Sequence, residues 1–250
     1  MSSASVVPAT GSKLVAGRPV NALKERAFFS SMAGLMALIA FAGFAPSYYL
    51  KAHFGAPPAL TPLLHWHGAA FTLWMVLLIT QTSLIASGRV AVHRKLGVVG
   101  VVLAAGMMVL GGAVAIMRAS EGVLGPPGIP PLVFLAVPLT ALVVFPVLFG
   151  AAIYFRRRPD IHKRLMLIAT MELITAAIAR LPGVVALGPL GFFGLTDVLI
   201  VAIAIYDYRT RGRIHPATIW GGLFLIVSQP LRLFVSGTAT WQSIAVWLTS

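Results

Sequence analysis

The sequence predicts an all-α integral membrane helical bundle of about seven transmembrane helices, with its N-terminus in the cytoplasm. Three observations support this prediction. Only 10% of the 250 residues are charged and 58% are hydrophobic, whereas soluble domains carry about 25% charged residues. Apolar runs of roughly 20 residues, the length that crosses a bilayer, recur along the chain. The basic residues are concentrated in the short stretches between these runs.

Seven segments reach or approach the spanning length, and they lie at residues 27–50, 63–87, 96–117, 131–155, 164–182, 194–208 and 217–235. They predict a transmembrane bundle over residues 27–235, preceded by a cytoplasmic segment over residues 1–26. The first run is longer than the core of a signal peptide, so we interpret it as an anchor that is retained. Residues 236–250 are too short and too polar to span. Trp241 and Trp247 favour an outer interfacial segment there.

Lysine and arginine set the predicted orientation. With the N-terminus inside, 15 of the 19 basic residues fall in cytoplasmic segments: Lys13, Arg18, Lys24, Arg26, Arg89, Arg94, Lys95, Arg156, Arg157, Arg158, Lys163, Arg164, Arg209, Arg211 and Arg213. Cytoplasmic loops of membrane proteins carry such an excess of basic residues. The bias repeats at every inner loop and predicts a cytoplasmic N-terminus and an outer C-terminus.

One basic pentapeptide, Arg-x-x-(Val or Ile)-His, occurs three times: "RVAVH" at 89–93, "RPDIH" at 158–162 and "RGRIH" at 211–215. Each copy precedes a helix that runs outward. The chain therefore divides into one leading helix and three hairpins. The arginines of these copies are explained as topology signals.

Several functional classes are excluded. The chain has no cysteine, which excludes disulfides, thiolate ligands and thiol nucleophiles. The net charge of +13 is spread over short loops, so we predict no nucleic-acid partner. No phosphate loop, zinc-protease or serine-hydrolase pattern is present, and no catalytic residue is assigned. The bilayer is the predicted partner, with a second membrane protein or a homo-oligomer as further candidates.

Four ionisable residues lie inside apolar runs: Glu172, Arg180, Asp197 and Arg232. A lone charge at the centre of a bilayer costs about 2.5–3.5 kcal/mol on insertion scales, so such residues mark sites that handle substrate or protons. Two acids and two bases can form a neutral network, in which Asp197 bridges the two arginines. The alternative is a structural cluster that fixes helix register.

The histidines supply a second candidate site. His93 and His162 lie at the inner surface and are the better pair for a haem b or metal ligand set, whereas His65 and His67 lie near the outer surface. Positions two apart on a helix point about 200° apart, so His65 and His67 cannot both bind one ion on a regular helix. Capping of helix ends is the structural alternative for His93 and His162.

The stretches "FAPSYYL", "LHWHGAAFTLWMVLLITQ", "GRVAVHRKLG" and "RRRPDIHKRLMLIATMELITAAIARLP" resemble a group of bacterial multi-pass inner-membrane proteins of unknown function, over residues 40–185. The resemblance implies a bacterial cytoplasmic membrane and supplies no activity. Histidines at helix ends are also similar to those of cytochrome b561-type haem membrane proteins. The sequence departs from that pattern in its outer histidines.

Three functional hypotheses follow. The first is binding or proton-coupled transport of a small molecule through Glu172, Arg180, Asp197 and Arg232. The second is a haem- or metal-binding redox protein that uses His93 with His162, or else His65 or His67. The third is an accessory or assembly subunit of a membrane complex, in which the polar residues only fix the packing.

Overall fold

The computed structural model describes residues 21–55 and 59–250, and in that part of the chain every regular element is a helix. The prediction of an all-α fold is confirmed. The eight helices of more than ten residues are α1 Ala22–Phe44, α2 Pro62–Ala86, α3 Val90–Ser120, α4 Ala136–Tyr154, α5 Pro159–Ile178, α6 Gly188–Arg211, α7 Pro216–Ser236 and α8 Ala239–Thr249. Most of the predicted N-terminal segment, residues 1–20, lies outside the described residues.

Six of these helices, with their flanking turns, are long and apolar enough to cross a membrane: Ala22–Tyr49, Pro62–Ala86, Val90–Ser120, Pro131–Tyr154, Val185–Arg211 and Pro216–Ser236. The predicted number of about seven is therefore one too high by this measure. The exception is α5, which has the length to cross but carries Asp160, Lys163, Arg164 and Glu172. This helix packs against α1, α4, α6 and α7. Its side chains contact other helices on several sides. This helix therefore does not require the apolar surface that a lipid-exposed helix requires.

The three predicted hairpins are present. Helices α2 and α3 are joined by residues 87–89, α4 and α5 by 155–158, and α6 and α7 by 212–215, and each pair is in contact. Arg26 at the start of α1 donates to the carbonyl of Ala86 at the end of α2, at 3.3 Å, so α1 begins beside these loops. We call this end of the bundle, formed by the start of α1 and the three loops, the basic end.

The C-terminal helix α8 packs at the opposite end of the bundle. The indole nitrogen of Trp241 donates to the carbonyl of Leu132 at 2.8 Å, and Ala245 is buried with Leu135 in a small separate cluster. Trp247 is exposed. Residues 236–250 are thus tied to the bundle on one side, and their interfacial placement in a membrane stays a prediction.

Helices α1 and α5 cross in close contact at Gly43, where an added Cβ atom would lie 2.2 Å from the carbonyl oxygen of Ala177. We expect Gly43→Ala to lower the free energy of unfolding by about 1–3 kcal/mol, because the helices must separate. Gly34 on the same helix has nothing within 4 Å of its Cβ position. The control Gly34→Ala should be neutral or slightly stabilising, since alanine favours helix. Thermal unfolding in detergent compares the two, and equal losses would contradict the role of the crossing.

Candidate functional site

Glu172 and Arg232 form a buried ion pair between α5 and α7. The Nη1 and Nη2 atoms of Arg232 donate to Oε1 and Oε2 of Glu172 at 2.8 and 3.2 Å. Both side chains are 1% exposed. Arg232 also donates to the hydroxyl of Ser228 at 2.7 Å, and its guanidinium lies 5.3 Å from the ring centroid of Phe193. The pair is thus bidentate, supported by a third hydrogen bond and enclosed.

The expected bridge from Asp197 to the two arginines is not formed. Asp197 accepts a hydrogen bond from Nε2 of Gln229 at 2.8 Å. Arg180 donates to the carbonyl of Ala176 at 2.6 Å, and its guanidinium lies 4.7 Å from the ring centroid of Phe44. Arg180 lies in the turn after α5, which ends at Ile178. Of the four predicted residues, only Glu172 and Arg232 meet.

A second buried ion pair, which the sequence analysis missed, joins Arg164 of α5 to Asp207 of α6. The guanidinium contacts both carboxylate oxygens, and both side chains are 0% exposed. Asp207 also accepts from the hydroxyl of Thr218 at 2.6 Å and from the backbone N–H of His215 at 3.2 Å. Arg164, which was interpreted as a topology signal, is therefore also a buried structural cation.

Other basic-end cations are paired as well. Glu25 of α1 accepts from Lys163 at 2.7 Å and from Arg211 at 3.0 Å. The chain has six acidic residues, and each accepts a hydrogen bond from a side chain. The small number of acids was the sequence signal for such pairs, because each acid near a helix end has several cations with which it can pair. The signal does not identify which cation is the partner.

An open cleft of about 800 Å³ lies at the basic end, between α4, α5 and α7. Its mouth is lined by three arginines and one carboxylate, together with a histidine: Arg158, Arg211, Arg213, Asp160 and His215. The Nε atom of Arg211 is buried without a hydrogen-bond partner in the described part of the chain. The mouth is therefore cationic.

The deeper wall of the cleft is apolar. It is formed by Val147 and Leu148 of α4, Leu165 of α5, and Trp220 and Phe224 of α7. Trp220 is 72% exposed, so this wall opens to the side of the bundle. The cleft thus combines a cationic mouth with an apolar side that continues onto the exposed apolar surface of the bundle.

His215 connects the mouth to two helices. Its Nδ1 accepts from the backbone N–H of Ala217 and caps α7, at 3.1 Å. A ring nitrogen that accepts cannot carry a proton, so Nε2 carries it and donates to Asp160 at 3.1 Å. Burial lowers the pKa of His215 from its usual 6.5, although the hydrogen bond to Asp160 acts in the opposite direction. A neutral ring agrees with this capping role.

The predicted histidine pair at the inner surface does come together. The rings of His93 and His162 lie 6.2 Å apart between centroids, at an angle of 82°. Nδ1 of His162 donates to the carbonyl of Ala152 at 2.8 Å. His65 and His67 lie at the opposite end of the bundle, where His65 is exposed and the ring of His67 packs 4.4 Å from that of Phe71.

The described residues hold no group of three or more His, Cys, Asp or Glu side chains that could bind a metal ion. A haem would need a slot beside its ligands, and the cleft is lined by neither His93 nor His162. Haem binding by these histidines therefore stays a prediction. A comparison with protein-family models, curated proteins and solved structures finds no match to this chain. The resemblance to cytochrome b561-type proteins stays a prediction.

Proposed function

We propose that this protein binds an anionic phospholipid, or a closely similar amphiphile, in the cleft at its basic end. The observation that supports this proposal is the polarity of the cleft, which has arginines at the mouth and an apolar wall beside them. A phosphate headgroup and an acyl chain have the same two-part character. The proposal narrows the binding hypothesis to one site and one class of ligand.

The mouth suits a phosphate for two reasons. Arginine presents a planar fork of donors that matches phosphate oxygens, and it keeps its charge in every environment. The Nη2 atom of Arg211 already donates to Glu25. Its Nε has no hydrogen-bond partner in the described residues. Because this Nε is buried, the phosphate would be held mainly through Arg158 and Arg213. Arg158 and Arg213 are exposed and line the same mouth, so they can turn toward the ligand.

The apolar wall suits an acyl chain. Each CH₂ group removed from water contributes about 0.8 kcal/mol, but a chain that is already in lipid gains mainly packing. We therefore propose that contacts with the headgroup supply most of the binding affinity, whereas the apolar wall selects among acyl chains. Trp220 and Phe224 present rings at the side of the cleft, where an acyl chain would lie along them.

We assign the buried pair Glu172–Arg232 a supporting role. Neither residue lines the cleft; the two bond each other, and Arg232 also donates to Ser228. Proton or substrate handling by this pair would require water to reach Glu172. Ligand contact is therefore placed at the cleft, while the pair holds α7 against α5.

We further propose that the protein lies in a bacterial inner membrane with the basic end in the cytoplasm. The support is the gathering of Arg89, Arg158, Arg213 and their neighbours at one end of the bundle. Inner loops of membrane proteins carry this excess. The cytoplasmic leaflet also offers anionic headgroups at that depth.

The experiment compares two double variants that remove the same charge. Arg158→Ala with Arg213→Ala removes two arginines of the mouth, whereas Arg156→Ala with Arg157→Ala removes two neighbours that do not line it. Full-length protein in neutral detergent is titrated with phosphatidylglycerol that carries brominated acyl chains, and quenching of tryptophan fluorescence is followed. A Trp220→Phe variant identifies the signal from the cleft.

We expect the first double variant to bind about 30-fold more weakly, because each arginine near anionic lipid contributes about 1 kcal/mol. The second should stay close to wild type. Equal losses in both variants, or equal binding of phosphatidylcholine, would overturn the proposal. Inorganic phosphate that binds as tightly as the lipid would reassign the mouth to a free anion.

A further inference from the structure

The facing histidines at the basic end have free ligand atoms. His162 lies in the second turn of α5, and its Nδ1 carries the proton that is donated to the carbonyl of Ala152. In the neutral ring Nε2 then keeps a lone pair. Metal-binding histidines are usually held in this way, with the second nitrogen donating to a carbonyl or carboxylate. His162 is thus fixed in the tautomer that a metal requires.

His93 of α3 supplies the partner. Its Nδ1 is buried without a hydrogen bond of good geometry among the described residues, and the backbone carbonyl of Gln81 lies beside the ring. A metal ion bound in line between two imidazole nitrogens at about 2.0 Å places the ring centroids about 6 Å apart. The centroids of His93 and His162 are separated by 6.2 Å. The spacing of the rings is thus that of two imidazoles which share one ion.

A third unsatisfied atom lies close by, on α2. Oε1 of Gln81 is buried without a hydrogen-bond partner in the described part of the chain. The side chain of this residue lies against α3 at Gly97, one turn beyond His93, with Nε2 3.7 Å from the Cβ position of Gly97. Three helices thus bring a nitrogen, a nitrogen and an amide oxygen to one region.

We propose that His93 and His162 bind one copper(I) ion, with Gln81 available as a weak third ligand. Copper(I) accepts two nitrogen ligands in a line, so a pair of imidazoles is sufficient for it. The charge of the surroundings favours the same ion. Arg94 and Lys95 follow His93 directly, and like charge repels a dication more strongly than a monocation. This site is independent of the phospholipid cleft, which neither histidine lines.

The test uses full-length protein in detergent, with copper(I) supplied under reducing conditions from a chromophoric chelator that competes for the ion. We expect one copper per chain. His93→Gln and His162→Gln should each weaken binding by about 100-fold or more, since loss even of an outer-shell partner costs 10–100-fold. His53→Gln and His65→Gln remove exposed histidines of the opposite end and should leave binding unchanged.

If a histidine variant does not fold, X-ray absorption of the copper-loaded wild-type protein tests the proposed ligands without any substitution. Two imidazole nitrogens at about 2 Å are expected. Copper bound equally well by the His93→Gln/His162→Gln double variant would overturn the proposal, as would a bound ion without imidazole ligands. A Soret band in the purified protein that is lost in His93→Gln would assign the pair to haem instead.

Discussion

Replacement of Glu172 by Gln is expected to lower the free energy of unfolding by about 3–5 kcal/mol, the usual cost of removing one member of a buried ion pair. The substitution keeps the size of the side chain and removes its charge. Arg232 would then remain 1% exposed beside a neutral amide, and a guanidinium cannot lose its proton to relieve the cost. The amide oxygen and Ser228 would be its remaining side-chain acceptors, and neither carries a negative charge.

Two further variants separate charge from packing. Arg232→Met should cost less than Glu172→Gln, because a carboxylate that is left alone can bind a proton and become neutral. The double variant Glu172→Leu/Arg232→Met should recover most of the stability, since apolar residues of similar volume often replace a buried pair without loss. Thermal or denaturant unfolding in one detergent measures all three variants. If Glu172→Gln were as stable as wild type but lost lipid binding, the pair would belong to the binding site.

Asp207→Asn is expected to cause a loss of similar size, about 3–5 kcal/mol. Asp207 accepts hydrogen bonds from Arg164, from the hydroxyl of Thr218 and from the backbone of His215. An amide at this position removes the negative charge and one of the two acceptor oxygens. Arg164, which is 0% exposed, would keep its charge without a partner of opposite sign in the buried cluster.

Asp197→Asn is the matched control, because it makes the same change on the same helix. Asp197 is half-buried and accepts a hydrogen bond from Gln229, which an asparagine oxygen can replace. A loss of less than about 1 kcal/mol is expected. The same unfolding assay compares the two. Similar losses for both variants would show that Asp207 contributes no more than an ordinary polar contact.

The fold was largely predictable from hydropathy and loop charge, because lipid exposure demands apolar residues over a known length. Charged residues near helix ends limited the accuracy. The sixth segment was predicted at 194–208, whereas the helix extends over Gly188–Arg211. The last turn of this helix contains Arg209 and Arg211. A search for apolar residues stops before them, although the backbone remains helical there. The extra segment in the count has a similar cause, since α5 is apolar only in part.

Site residues were predictable only where a single feature, a charged residue inside an apolar run, was enough to identify them. Glu172 and Arg232 stood out because charge is rare inside apolar runs, but their pairing was not predicted, since Asp197 was the expected partner of Arg232. The partner of Arg180 was not predictable, because it depends on the direction of α5 relative to its neighbours. Arg164 and Asp207 were hidden among loop charges, where a buried cation and a topology signal have the same sequence pattern. The cleft depends on the contact of three helices, and no sequence motif encodes it.

The polarity of α5 has a consequence for how the chain enters a membrane during synthesis. Glu25, the partner of Lys163, is made before α5, but Asp207 follows Arg164 by 43 residues and Arg232 follows Glu172 by 60. When α5 leaves the ribosome, two of its charges lack their counter-ions. It cannot be released alone into lipid at low cost. We therefore expect α5 to reach its final place only after α6 and α7, which carry Asp207 and Arg232, have been made.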